Sequence, residues 1–192
     1  LAQQALQMAA GETEQLRALA VMAATMARRI DDFGPHRAAC EQGIDKALRL
    51  GRPELALRLA LPLAGSLLNA REIGAALRLL ESQQDWAQAE AEPALLCDYL
   101  NHLGMALDYA NRLTDAAQVH ERQCELARRH GLHEATATAL ASLGATLAKR
   151  GRLRAAAQAL QSGLQLARSQ QSLAGQVLHS QATLGWRLRD LG

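Results

Sequence analysis

The chain has 192 residues, 49% of them hydrophobic and 3% aromatic, with 21 basic against 19 acidic side chains for a net charge of +2. That is enough apolar material for a substantial core in one or two domains, and the balanced charge, with no long basic run, argues against direct nucleic-acid binding, which needs several phosphate-neutralising contacts on one surface. No apolar run reaches the roughly 18 residues of a membrane-spanning helix, which argues against a membrane partner. No secretory signal pattern opens the chain, and Cys40, Cys97 and Cys124 are odd in number without a C-x-x-C pair, so a cytoplasmic location is expected.

Ala, Leu, Gln and Arg dominate, all strong helix formers, and the composition predicts an all-α protein. Residues 1–10 read as the second helix of a preceding unit, because Leu6, Gln7, Met8 and Ala9 match Leu164, Gln165, Leu166 and Ala167. The first complete unit has predicted helices at 12–29 and 35–50, joined by Asp31, Asp32, Phe33 and Gly34, with Pro35 in a first helical turn where its missing N–H costs nothing. The second has helices at 53–69 and 72–88, and Pro62 inside the apolar run predicts a kink. Residues 83–92 are polar and Ala-rich, with Trp86 as the one large apolar group. The third unit is predicted at 93–110 and 114–130, with Thr114 as N-cap, and the fourth at 133–150 and 153–169. A last helix is expected at 173–190. Both ends cut the pattern in mid-unit, so residues 1–192 are expected to be one repeat array excised from a longer multidomain protein.

The repeat itself is carried by eight positions. Leu100, Leu103, Gly104, Leu107, Asn111, Leu113, Ala116 and His120 stand forty residues before Leu140, Leu143, Gly144, Leu147, Gly151, Leu153, Ala156 and Leu160. The same spacing extends upstream through Leu63 and Ala64 to Ala23 and Ala24, and Leu184 with Gly185 recurs after forty-one. Gly11, Gly51 and Gly131 each lie twelve residues before the apolar member of the small pair, as turn markers in step with it. Glycine inside a helix costs roughly 1 kcal/mol relative to alanine, so Gly104 and Gly144 need a packing reason: close approach of a neighbouring helix, with Ala116 and Ala156 as the small residues opposite.

An apolar residue, Leu-Gly, an apolar residue, a turn, and then Ala with a large residue four further on resembles the tetratricopeptide repeat. The period is forty rather than thirty-four, and Leu100, Leu140, His120 and Leu160 stand where that family carries aromatics. Forty-residue units are similar to those of kinesin light chains. With the wording Gly151-Arg152-Leu153 and Leu166-Ala167-Arg168, they also resemble the superhelical sensor regions of large bacterial transcriptional activators. The resemblance implies a right-handed superhelix of antiparallel helix pairs, an α-solenoid whose first helices line a concave face. Carried over position by position, the ligand-facing residues it implies include Arg28 in the first unit, Asn69 in the second, Asn101, Met105, Asp108 and Tyr109 in the third, Lys149 in the fourth and Trp186 near the end.

No catalytic or cofactor motif competes with that reading. His130 and His133 flank Gly131 without a nearby Cys or carboxylate cluster and read as loop histidines rather than metal ligands. There is no Gly-rich phosphate loop, H-E-x-x-H or G-x-S-x-G, and no cofactor is expected. The expected function is therefore non-enzymatic: a module of a bacterial transcriptional regulator or signal-transduction protein that takes a protein, a peptide or a small effector in its concave groove. The alternative is a scaffold or self-association module that positions a neighbouring cyclase, kinase or ATPase.

Overall fold

Apart from one short helix at 84–89, the helices from Phe33 onward begin at Phe33, Pro53, Ile73, Pro93, Leu113, His133 and Leu153, one every twenty residues, so the forty-residue period is a pair of helices. The computed structural model describes residues 2–26 and 33–169, and all regular secondary structure among them is helical. The elements are α1 (Ala2–Met26), α2 (Phe33–Arg49), α3 (Pro53–Asn69), α4 (Ile73–Glu81), α5 (Gln84–Ala89), α6 (Pro93–Tyr109), α7 (Leu113–Arg129), α8 (His133–Lys149) and α9 (Leu153–Ser169). They group into two compact units, Leu1–Ala91 and Glu92–Gly192.

One turn design closes five of the connectors. The middle residue of each is left-handed: Gly51 (φ 64°), Arg71 (64°), Asn111 (60°), Gly131 (64°) and Gly151 (74°). Gly51 N–H donates to the Leu48 carbonyl at 3.0 Å and Arg52 N–H to the Ala47 carbonyl at 2.8 Å, and the same crossed pair recurs after α3, α6, α7 and α8. This is the Schellman arrangement, which satisfies the last carbonyls of one helix and reverses the chain within three residues. Consecutive helices are thereby forced antiparallel. The connector before α6 is different: Glu92 is extended (φ −60°, ψ 153°), as the residue before a proline must be, and Pro93 opens the helix.

In the first unit α3 is the central element, packed against α1, α2, α4 and α5. Leu16, Ala20 and Ala23 of α1, Cys40, Ile44 and Ala47 of α2, and Ala76 and Leu80 of α4 are buried with it. Gly43 admits the approach, since a Cβ there would lie 2.8 Å from Leu19 Cδ2 and 2.9 Å from Leu59 Cδ1. In the second unit each helix packs on the next, α6 on α7, α7 on α8 and α8 on α9, and α6 also touches α8. The in-frame glycines sit where predicted: a Cβ on Gly144 would meet Leu160 Cγ at 2.6 Å, and one on Gly104 would meet the His120 ring, with Nε2 at 2.7 Å.

Three sequence expectations are corrected. Residues 2–26 form one continuous helix, so Gly11 is not a turn; it is exposed, and nothing stands within 4 Å of where its Cβ would be. The predicted 72–88 helix is interrupted at Ser82 and Gln83, where the Ser82 hydroxyl donates back to the Leu79 carbonyl at 2.7 Å and competes with the helical ladder, leaving α4 and α5 as separate pieces. The N-cap residue of α7 is Arg112 rather than Thr114. α3 runs on through Pro62, which is buried. The expected helix at 173–190 lies outside the described residues.

Candidate interaction site

Residues 101, 105, 108 and 109 share one stripe of α6, because spacings of four, seven and eight return to the same helix face. The Asn101 amide donates to Met105 Sδ at 3.7 Å, while Asn101 Oδ1 is buried without a hydrogen-bond partner. Buried polar atoms are normally paired, and an acceptor left unmade costs about 1–3 kcal/mol. Two turns further on, Asp108 Oδ1 accepts from the Thr146 hydroxyl of α8 at 3.1 Å, and Asp108 Oδ2 pairs with the Lys149 ammonium. That ammonium also stands 6.0 Å from the centroid of the ring of Tyr109, a residue 40% exposed.

Asp108 and Lys149 are 41 residues apart, one repeat plus one, which places them side by side on consecutive first helices. The Asp108 side chain is 14% exposed and Lys149 42%, so the pair is sheltered at the carboxylate end and open at the ammonium. Both are among the residues the resemblance implies to be ligand-facing; in the structure the Lys149 charge is matched by Asp108. Five of the predicted residues, Asn101, Met105, Asp108, Tyr109 and Lys149, come together in the second unit. Arg28 and Trp186 lie outside the described residues.

The corresponding stripe of α3 is not a groove. Leu61 and Leu68, in the places of Asn101 and Asp108, are buried with Pro62, and Gly65 is half-buried. Asn69 alone on that stripe is exposed, in the last turn of α3.

Sequence reasoning missed His120 as part of the site's support. Its imidazole, 1% exposed, packs under Gly104 and donates from Nδ1 to Gln123 Oε1 at 3.4 Å. Burial holds its pKa below the usual histidine value, partly opposed by the Gln123 hydrogen bond and the Asp108 charge. The departure from an aromatic at this position was the visible signal. Burial pushes the thiols of Cys40, in the first unit, and Cys97, on α6, up to about 11, so neither is a thiolate at neutral pH. Among the described residues, no three His, Cys, Asp or Glu side chains gather as a metal site, and no helix is long and apolar enough to cross a membrane.

No family model and no curated protein matches the chain. Among solved structures it is similar to the Rap protein complexed with competence and sporulation factor, with a TM-score of 0.74 at 17% sequence identity over 83% of this chain and 44% of that one. The likeness is one of fold, a tetratricopeptide-like helical repeat. The chain thus spans less than half the length of that protein.

Proposed function

We propose that the chain is an interaction module of a bacterial transcriptional regulator or signal-transduction protein, receiving an extended peptide, a protein segment or a small polar effector on the α6–α8 face. The observation that carries this is Asn101 Oδ1, a buried acceptor without a partner at one end of a stripe that continues through Met105 to the Asp108–Lys149 pair and the half-open Tyr109 ring. Such a mixture of adaptable apolar surface and a few convergent polar groups is what orients a ligand. The stripe rises about 10 Å from Asn101 to Asp108, the span of roughly three extended residues. The fold neighbour points the same way, since that Rap protein is seen holding competence and sporulation factor. Asn69 belongs to the proposal as a separate contact of the first unit.

Panning a displayed peptide library against the 192-residue chain tests it. Selected peptides are expected to lose at least about tenfold in affinity, the worth of one or two good contacts, when Asn101 and Tyr109 are both replaced by Ala. They are expected to keep it when the exposed Gln118 and Glu125 of α7 are replaced instead. Equal affinity for the two double variants moves the site off this face and favours a scaffold role.

A further inference from the structure

His120 is a polar side chain in a slot that other second helices fill with Leu80, Leu160 or Cys40. Its hydrogen-bonding partner is Gln123, on its own helix and itself buried, and the Cε1 edge of the ring, between its two nitrogens, lies against Gly104, which has no side chain to offer. Neutral imidazole is suited to this: Nδ1–H donates, and Nε2 asks for nothing it must have. An imidazolium is less suited, because it places a full charge on a side chain that is 1% exposed. One turn beyond Gly104, on the same face of α6, lies Asp108. That carboxylate is the counter-charge that acts on His120, and it is also the group that Thr146 and Lys149 of α8 hold.

We propose that His120 is a proton-operated latch on the α6–α8 face: when its Nε2 takes a proton from solvent, the Asp108 carboxylate is drawn toward the α6–α7 core and away from Thr146 and Lys149. The bridge between consecutive first helices then loosens, and Lys149 and the Tyr109 ring are released to solvent. The consequence for binding rests on the function proposed above; the latch itself does not.

The other ionisable groups around His120 leave Asp108 as the responder. On α6, Cys97 and Tyr99 are buried, Asp98 is exposed in an earlier turn, and His102 donates from Nδ1 to the Asp98 carbonyl at 2.9 Å. On α7, Glu121, Arg122 and Glu125 are exposed, and Arg112 pairs with Asp115. Cys124 is buried, and burial raises its thiol pKa, so it stays neutral. On α8, His133 and Glu134 are exposed in the first turn, and Lys149 acts through its pair with Asp108.

The experiment is an NMR titration of the 192-residue chain from about pH 8 to pH 4.5, wide enough to cover a histidine held below its usual range. The His120 ring signal among the six histidines is identified by sequential assignment of the wild type and checked by its loss in His120→Gln. Asp108→Asn is expected to lower the His120 midpoint by about half a pH unit or more, and Lys149→Met to raise it by a similar amount, as loss of an attractive charge and release of that charge require. In the wild type the Thr146 and Lys149 amide signals are expected to move with the His120 midpoint, and in His120→Gln to stop doing so. A midpoint common to wild type, Asp108→Asn and Lys149→Met overturns the latch even should His120→Gln fail to fold, as do Thr146 and Lys149 signals that ignore the His120 titration. Binding of the selected peptides at pH 7.5 and pH 5 separates the two ideas. Coupled signals with pH-independent binding keep the latch and remove its regulatory role. Uncoupled signals with binding that still needs Asn101 and Tyr109 remove the latch and keep the site.

Discussion

The central helix of the first unit, α3, and the opening helix of the second, α6, occupy the same place in the repeat and are put to opposite uses. Twelve of the seventeen α3 residues are buried against seven of seventeen in α6, so α3 is a core element on nearly every side while α6 keeps one stripe half-open. The backbone does not distinguish them: both begin with proline, run the same length and end in the same crossed turn. What differs is the stripe itself, Leu61, Gly65 and Leu68 in one and Asn101, Met105 and Asp108 in the other. In a helical repeat the frame fixes where a side chain stands, and its chemistry decides whether the position becomes core or site.

The sharpest way to break that comparison is a matched pair of truncations. Leu61→Ala is expected to cost about 2–5 kcal/mol, the range for emptying a buried leucine site. Asn101→Ala is expected to be neutral or to stabilise by up to about 1 kcal/mol, because it removes a buried acceptor that has no partner. Urea unfolding of both variants checks this, and a loss of several kcal/mol for Asn101→Ala would make α6 a core helix like α3.

Next in size is Gly144→Leu. The new side chain would run into Leu160 and, at 3.1 Å, the Ala156 carbonyl, so a loss of roughly 1–3 kcal/mol or more is expected. A raised melting temperature would falsify the helix contact that defines the second unit.

The third effect is confined to pH. Burial lowers the folded-state pKa of His120 below the ordinary histidine value of about 6.5, and of His102 likewise, so the unfolded chain binds more protons than the folded one as pH falls. Stability from these groups is fully present above about pH 6.5, the unfolded pKa, and is lost progressively below it. His120→Leu is expected to flatten the fall in melting temperature between pH 7.5 and pH 5, with His102 keeping a residue of it. The first unit, which has Leu80 in the corresponding slot, supplies no such dependence there. A slope unchanged by the substitution would show that His120 is not held neutral by the fold.

The smallest effect compares two connectors. Arg71 closes α3 with a positive φ that a side chain resists at about 1–2 kcal/mol, and Arg71→Gly is expected to raise stability by up to about 1 kcal/mol after glycine's entropy in the unfolded chain is set against it. Asn111→Gly, at the matching connector after α6, is expected to gain less, since asparagine tolerates that conformation. Thermal melts of the two variants rank them; a larger gain at Asn111 would reverse the reading.

Much of this architecture was legible in the residues. Local periodicity and turn chemistry act over a few residues, so the starts of α6, α8 and α9 and the close contacts at Gly104 and Gly144 follow from spacing alone. Even the Asp108–Lys149 pair carried a signal, opposite charges one repeat plus one apart, though nothing in a single helix says that two side chains on a shared face will meet each other rather than a ligand.

The sequence by itself determined that the chain is helical, that its helices pair in a forty-residue period, and where Gly51, Gly131 and Gly151 turn the chain, because each of these depends on neighbours within about one helical turn. Tertiary structure alone decided that Gly11 lies inside a helix while glycines in the same phase end one, and that Leu61 and Leu68 are core. It also decided that Asn101 Oδ1 is buried without a partner and that Asp108 is shared by the surroundings of Lys149 and His120. Those outcomes depend on how closely helices from distant parts of the chain approach, a distance set by all the side chains between them together and by no one of them alone.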